Sequence, residues 1–223
     1  MSATPRNSMK EIRFAPEERE EWLYIRRGKI TGSRLKDVYS KRETSAKKIG
    51  YYELIAEKLG LPPDTGETAL ERGSRLEADA VARFKELHPE LEIDSSLLIW
   101  AREDNENIAI SPDAVIGRKE AIEAKCLSSA RHIEAFITKK IPDDYEYQAL
   151  QYFIVNDELE TLHFIFYDPR FSMFSEPGSK ISKLDYFEIT LHRADVAAQI
   201  EDLLTYERKV IAEVNAIVNK LTF

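Results

Sequence analysis

The run SPDAVIGRKEAIEAKC at 111–126 sets Asp113, Glu123 and Lys125 among residues otherwise suited to the inside of a sheet. A tight turn at Gly117-Arg118-Lys119 makes it two antiparallel strands, and Asp113 and Glu123 lie equally far from Arg118. In that register the two carboxylates stand opposite each other, with Cβ atoms about 4.5–5.5 Å apart. Lys125 shares the face of Glu123, while Ile122 and Ala124 point the other way into apolar packing. Like charges held opposite each other destabilise a sheet. Two readings explain their presence. Either a divalent cation sits between them, or Lys125 neutralises Glu123 on a solvated face. Carboxylates are hard oxygen ligands that suit Mg²⁺, which takes one or two of them together with water and substrate phosphate.

Three further polar residues lie at the edge of apolar patterns. Glu77 is one turn from both Gly73 and Val81 on a helical stripe. Gln148 and Gln151 sit among Tyr145, Tyr147, Ala149, Tyr152 and Phe153, so they need polar partners. Backbone carbonyls, or a water or carboxylate in a site, would serve.

The elements that must carry these residues follow from periodicity. Helices are expected at 16–27, from Thr31 or Ser33 to about Tyr39, and at 48–59, 66–88, 129–139, 143–156 and 192–221. The 66–88 helix has Ala69, Gly73, Leu76, Ala80, Phe84 and Leu87 at three- and four-residue steps. Strands are expected at 92–100, 106–116, 120–126, 161–167 and 184–191, and a loop between the last two. That order predicts a mixed α/β (α+β) fold with a sheet of about five strands flanked by helices. One domain is expected over 1–223, with its core at about 20–191 and a C-terminal helix at about 192–221.

Bulk properties narrow the function classes. The 223 residues carry a net charge of −8, which argues mildly against nucleic acid, yet 26–48 holds nine basic residues against Asp37 and Glu43. Such a segment reads as a solvated loop or a local phosphate-binding surface. No apolar run is long enough to span a membrane, so no membrane partner is expected. The start, MSATPRNSMK, lacks the apolar stretch of a secretory signal, and the single Cys126 has no disulfide partner. Both fit the cytoplasm. The four histidines lack zinc-ligand spacing.

Pro112-Asp113, a ten-residue step, then Glu123-Ala124-Lys125 resembles the core of PD-(D/E)XK nucleases. Its context resembles the phage lambda exonuclease family, the YqaJ-like viral recombinases. Trp22 to Arg26, then Gly28-Lys-Ile-Thr31-Gly-Ser33, is similar to the family's opening W-x-x-x-R-x-G-x-I-T-x-S. Gly73-Ser-Arg-Leu-Glu77, Ser111-Pro112-Asp113, Glu123-Ala-Lys-Cys126, Tyr145-Glu-Tyr-Gln148 and Tyr167-Asp-Pro-Arg170 follow in family order. Departures are Ala114 where Gly is usual, Leu127 where Pro is common, and a second glutamine, Gln151, three rather than two residues after Gln148.

The resemblance implies a restriction-endonuclease-like core and a 5′→3′ exonuclease on linear double-stranded DNA. Such an enzyme releases mononucleotides from a 5′-phosphorylated end and leaves 3′ tails for phage recombination. It implies Asp113, Glu123, the Ala124 carbonyl and Glu77 (directly or through water) around one or two Mg²⁺, with Mn²⁺ as a substitute. It implies Lys125 on the attacking water and Gln148 holding that water or Lys125. It implies a 5′-phosphate pocket of Arg26, Ser33 and Ser111, with Trp22 and Leu70 near the point of strand separation. It also implies a homotrimeric ring around DNA and a phage single-strand annealing protein as partner. Another nuclease of the same fold, restriction-type or single-strand-specific, and a non-enzymatic binding module remain as alternatives.

Overall fold

The computed structural model describes residues 20–21, 24, 48–61 and 69–221. The expected helix at 31–39 and most of the basic segment lie outside the described residues; of the one at 16–27, the described Glu20, Glu21 and Tyr24 are helical. In chain order come α1 (Ile49–Lys58), α2 (Ala69–Leu87), β1 (Trp100–Ala101), β2 (Ala109–Ile110), β3 (Ala114–Ile116), β4 (Glu120–Lys125), α3 (Ser129–Thr138) and α4 (Asp143–Val155). Then follow β5 (Thr161–Tyr167), a short α5 (Arg170–Met173), β6 (Tyr186–His192) and α6 (Ala197–Leu221).

The main sheet has four strands in the order β3-β4-β5-β6. Its β3–β4 and β5–β6 pairs are antiparallel and β4–β5 is parallel, so the mixed α/β expectation holds. The expected fifth strand is not in it. β1 and β2 form a separate two-stranded hairpin, and of the rest of 92–100 only Asp94 bridges to Val115. The cause is Pro112, which offers no N–H to a ladder and divides the expected 106–116 strand into β2 and β3. The expected loop after β5 contains α5 and a 3₁₀ turn at Ser182–Leu184. The C-terminal helix starts at Ala197 rather than His192, because β6 runs through His192 and a 3₁₀ turn follows.

Each face of the sheet is buried by a different helix. Leu76, Ala80, Val81 and Phe84 of α2 pack on Ala114, Ile122, Ala124, Cys126 and Ile165. On the other face Leu150, Phe153 and Ile154 of α4, with Val196 and Ile200, cover Ala121, Leu162, Phe164 and Phe166. Burying each large apolar side chain contributes about 1.5–3 kcal/mol, so these two layers supply most of the stabilisation. The β1–β2 hairpin is tied to the end of α4 by Arg102. Its guanidinium donates to the Ile154 carbonyl at 2.5 Å and to Asp104 and Asp157 at 2.8 Å each. A cation at a helix C-terminus meets unpaired carbonyls and the negative end of the dipole.

At the end of the α2-covered face nearest the C-terminus of that helix lies a charge cluster. Glu188 of β6 accepts from His88 at 3.0 Å and lies 3.3 Å from His163 of β5, which also meets Glu120 at 2.9 Å. Burial opposes charging of His163, but its bonds to Glu188 and Glu120 outweigh this and hold the imidazole above its ordinary pKa. A raised histidine contributes stability that is complete below its unfolded value and lost as pH rises through the folded one. Glu188→Gln is therefore expected to lower the melting temperature most near pH 6, with a smaller deficit near pH 9. Thermal scans of both proteins across that range check this; a deficit that grows with pH contradicts it.

Candidate active site

The β3–β4 hairpin has the register that brings the acids together. Ala114 pairs with Ile122, Val115 with Ala121 and Ile116 with Glu120, across a turn whose Gly117 takes φ +59°. That left-handed conformation is open to glycine at little cost. The ladder stops at Ala114, one residue short of Asp113, whose N–H donates to the Ile122 carbonyl at 3.2 Å. The Asp113 carboxylate turns onto β4 and accepts from the Ala124 N–H at 2.7 Å.

Glu123 is only 2% exposed. Burial of an acid in a sheet demands donors, and three are supplied. Lys125 forms an ion pair with its Oε1, and Gln148 donates to the same oxygen at 2.7 Å. The Tyr152 hydroxyl donates to Oε2. Lys125 also lies over the Tyr145 ring, 4.9 Å from its centroid. Tyr145, Gln148 and Tyr152 are three and four residues apart, so one stripe of α4 faces the carboxylate. Glu77 reaches the site from α2 and lines the same cleft as Asp113, on which its charge bears. Gly73, Glu77, Asp113, Glu123, Lys125, Tyr145 and Gln148 line a cleft of about 380 Å³.

The structure therefore gathers Glu77, Asp113, Glu123, Ala124, Lys125 and Gln148 into one place. Ser111 is exposed two residues before Asp113. Leu70 lies in the first turn of α2, and nothing of its side chain is described; Trp22, Arg26 and Ser33 lie outside the described residues. Gln151 belongs to a different contact: it faces Glu207 of α6, away from the cleft. Tyr152 is the residue that spacing did not single out. Its signal was its place four residues after Gln148 on a helix whose other polar side chains needed partners.

The Tyr167-to-Arg170 stretch closes the end of the site. Asp168, 1% exposed, accepts from Ser129 at 2.7 Å and from Arg170 Nε at 2.8 Å. Arg170 also reaches the Leu127 carbonyl at 3.4 Å. This network joins the chain leaving β5 to the chain leaving β4, just beyond Lys125. Burial pushes the Cys126 thiol up to about 12, so it stays protonated as a core residue.

Electrostatics favour a cation. Burial raises the Asp113 pKa above the ordinary carboxylate range, and the Glu123 and Glu77 charges add to this against the opposing Ala124 N–H. Among the described residues no three His, Cys, Asp or Glu side chains form a metal cage by themselves. Two carboxylates with open cleft beside them instead match an ion that keeps water and substrate oxygens, as Mg²⁺ does. The donor set thus fits such an ion.

A carboxyl raised in the folded state costs stability once ionised, and the cost grows as pH rises from the unfolded value through the folded one. Asp113→Asn is therefore expected to melt higher than wild type at pH 9 without added metal, the gap closing toward pH 4. Each kcal/mol relieved corresponds to roughly 2–4 °C for a chain of this size. Calorimetric scans at the two pH values read it directly, and an Asn variant that melts lower at pH 9 contradicts it.

Comparison with known proteins bears on the family and the fold. The chain matches two crystal structures of LHK-Exo, an alkaline exonuclease from Laribacter hongkongensis, one of them a complex with dAMP. Identity is 27% in both, over 91% of this chain and 98% of that one, with TM-scores of 0.54 for the dAMP complex and 0.55 for the other. No curated protein matches by sequence. The model of the YqaJ-like viral recombinase domain matches residues 21–158, well over half the chain and every residue of the cleft. The chain belongs to the YqaJ-like viral recombinase family.

Proposed function

We propose that this nuclease of the lambda exonuclease family is a Mg²⁺-dependent 5′→3′ exonuclease on linear double-stranded DNA. It releases mononucleotides from a 5′-phosphorylated end and leaves a 3′ single-stranded tail for recombination by strand annealing. The observation that carries the reading is the pairing of Asp113 and Glu123 beside Lys125 in one open cleft. The dAMP complex of LHK-Exo supports it, since a deoxynucleoside monophosphate is the product class of such a reaction.

Asp113 and Glu123 are the ligands in this reading, with Glu77 completing the set directly or through water. The Ala124 carbonyl is a further ligand. In a strand the N–H and C=O of one residue face the same neighbour, and the Ala124 N–H faces Asp113 where β3 has ended. Bound there, one or two Mg²⁺, or Mn²⁺ in substitution, would make water a better nucleophile and neutralise charge on the attacked phosphate. Lys125 orients or deprotonates the attacking water and offsets the negative charge that develops on the phosphoryl oxygens. Gln148 holds Lys125 or that water in place. Arg26, Ser33 and Ser111 receive the 5′-terminal phosphate, an Arg fork plus two hydroxyls. Trp22 and Leu70 act where the strands part. A homotrimeric ring would reconcile the net charge of −8 with DNA binding, provided basic segments face its channel. A phage annealing protein would take up the tail.

The test is an end-labelled linear duplex, with and without Mg²⁺ and 5′ phosphate, beside a closed circle of the same sequence. Mononucleotides are expected only from the linear duplex with Mg²⁺, and faster with the 5′ phosphate. Cutting of the circle would point to an endonuclease of the same fold, and no metal-dependent release at all to a binding module. Lys125→Ala is expected to lower the rate by about 10²–10⁴-fold, the usual worth of a positioned proton-transfer group. A Lys125→Ala variant as active as wild type would remove Lys125 from the mechanism.

A further inference from the structure

Tyr152 holds one of the acids of the cleft. Its side chain is fully buried. Its hydroxyl donates to Glu123 Oε2. The ring is locked from behind: Trp100 of the β1–β2 hairpin meets it edge-on, centroids 6.5 Å apart at 80°. Its neighbours on α4, Leu150, Phe153 and Ile154, are in the core.

The two oxygens of Glu123 consequently differ. Oε2 is held by a donor that has no room to leave. Oε1 is held by Lys125 and Gln148, both lining the cleft. The carboxylate thus has one end held from the core and the other held by side chains that line the cleft.

We propose that Tyr152 is a positioning residue: it anchors Glu123 by Oε2, and so presents Oε1 to the divalent cation. This rests on the reading of Glu123 as a cation ligand. A role confined to satisfying a buried acid would support folding alone and leave cation affinity untouched, whereas an anchoring role changes that affinity. Removing a partner that orients a ligand costs about 10–100-fold in metal affinity or activity.

The experiment is a calorimetric Mn²⁺ titration of the full chain without DNA, for wild type, Tyr152→Phe and a variant with 4-aminophenylalanine at 152. Phe keeps the ring and its contact with Trp100 and removes only the hydroxyl; the amino analogue keeps a donor at the same place. Thermal melts fix a temperature at which all three are folded. Tyr152→Phe is expected to bind Mn²⁺ about 10-fold more weakly, and the Mn²⁺ needed for half-maximal nuclease rate should rise equally. The rate at saturating Mn²⁺ is largely retained, and the amino analogue binds close to wild type. Phe binding as tightly as wild type or tighter, with a lowered melting temperature, would overturn the proposal and leave Tyr152 a purely structural residue. If Phe does not fold, the amino analogue decides, and its binding Mn²⁺ far more weakly than wild type would overturn it. Wild type binding no Mn²⁺ would instead sink the reading of Glu123 on which the proposal stands.

Discussion

A carboxylate buried in the second strand of a sheet is the constraint around which this fold is arranged. Glu123 cannot stay charged in an apolar layer without donors, and β4 itself supplies one, Lys125. The others, Gln148 and Tyr152, come from α4. That helix can deliver them only because the parallel β4–β5 connection brings the chain back over the face that carries Glu123. The hairpin β1–β2 then has its reason. Trp100 backs the Tyr152 ring, and Arg102 fastens the hairpin to the end of α4. The network from Asp168 to Arg170 performs the same service at the other end of β4.

The site shows a division of labour between the two faces of the sheet. The α2-covered face, with Ile122, Ala124 and Ile165 against Phe84, contributes apolar burial. The α4-covered face combines burial with a polar column at its upper end. Asp113 stands at the edge where β3 gives out, within reach of Glu77 from the opposite face. The ladder there is left open, which is what allows its carboxylate to turn onto the Ala124 N–H. A regular strand through Asp113 would have used that N–H for pairing.

Much of this was legible in the residues. The turn at 117–119 and the equal distances of Asp113 and Glu123 from Arg118 give the observed register, because a hairpin whose faces are buried tolerates no slip. The apolar steps of α2 and the alternation of Ile122 and Ala124 against Glu123 and Lys125 placed the faces correctly. Strand number was less legible. Pro112 both opens the motif and ends the ladder, and the apolar run Leu97 to Trp100 reads as a strand although Leu97 and Ile99 are exposed. Periodicity reports which residues can be buried, not which edge is free to pair. Tyr152 was illegible for a related reason: on an apolar helix a tyrosine reads as core, and only the position of Glu123 shows that its hydroxyl has work. Gln151 was ambiguous until Glu207, far along the chain, was seen to claim it.

The parallel connection that returns α4 over β4 also has a bearing on how the protein is made. During synthesis, at about 5–20 residues/s, the hairpin carrying Asp113, Glu123 and Lys125 leaves the ribosome before α4 exists. At that stage Glu123 lacks Gln148 and Tyr152, and the apolar layer that excludes water from it is missing. The nascent chain thus holds its acids and its lysine without the scaffold that organises them. The cleft is complete only once α4 has followed the hairpin out and folded back over β4.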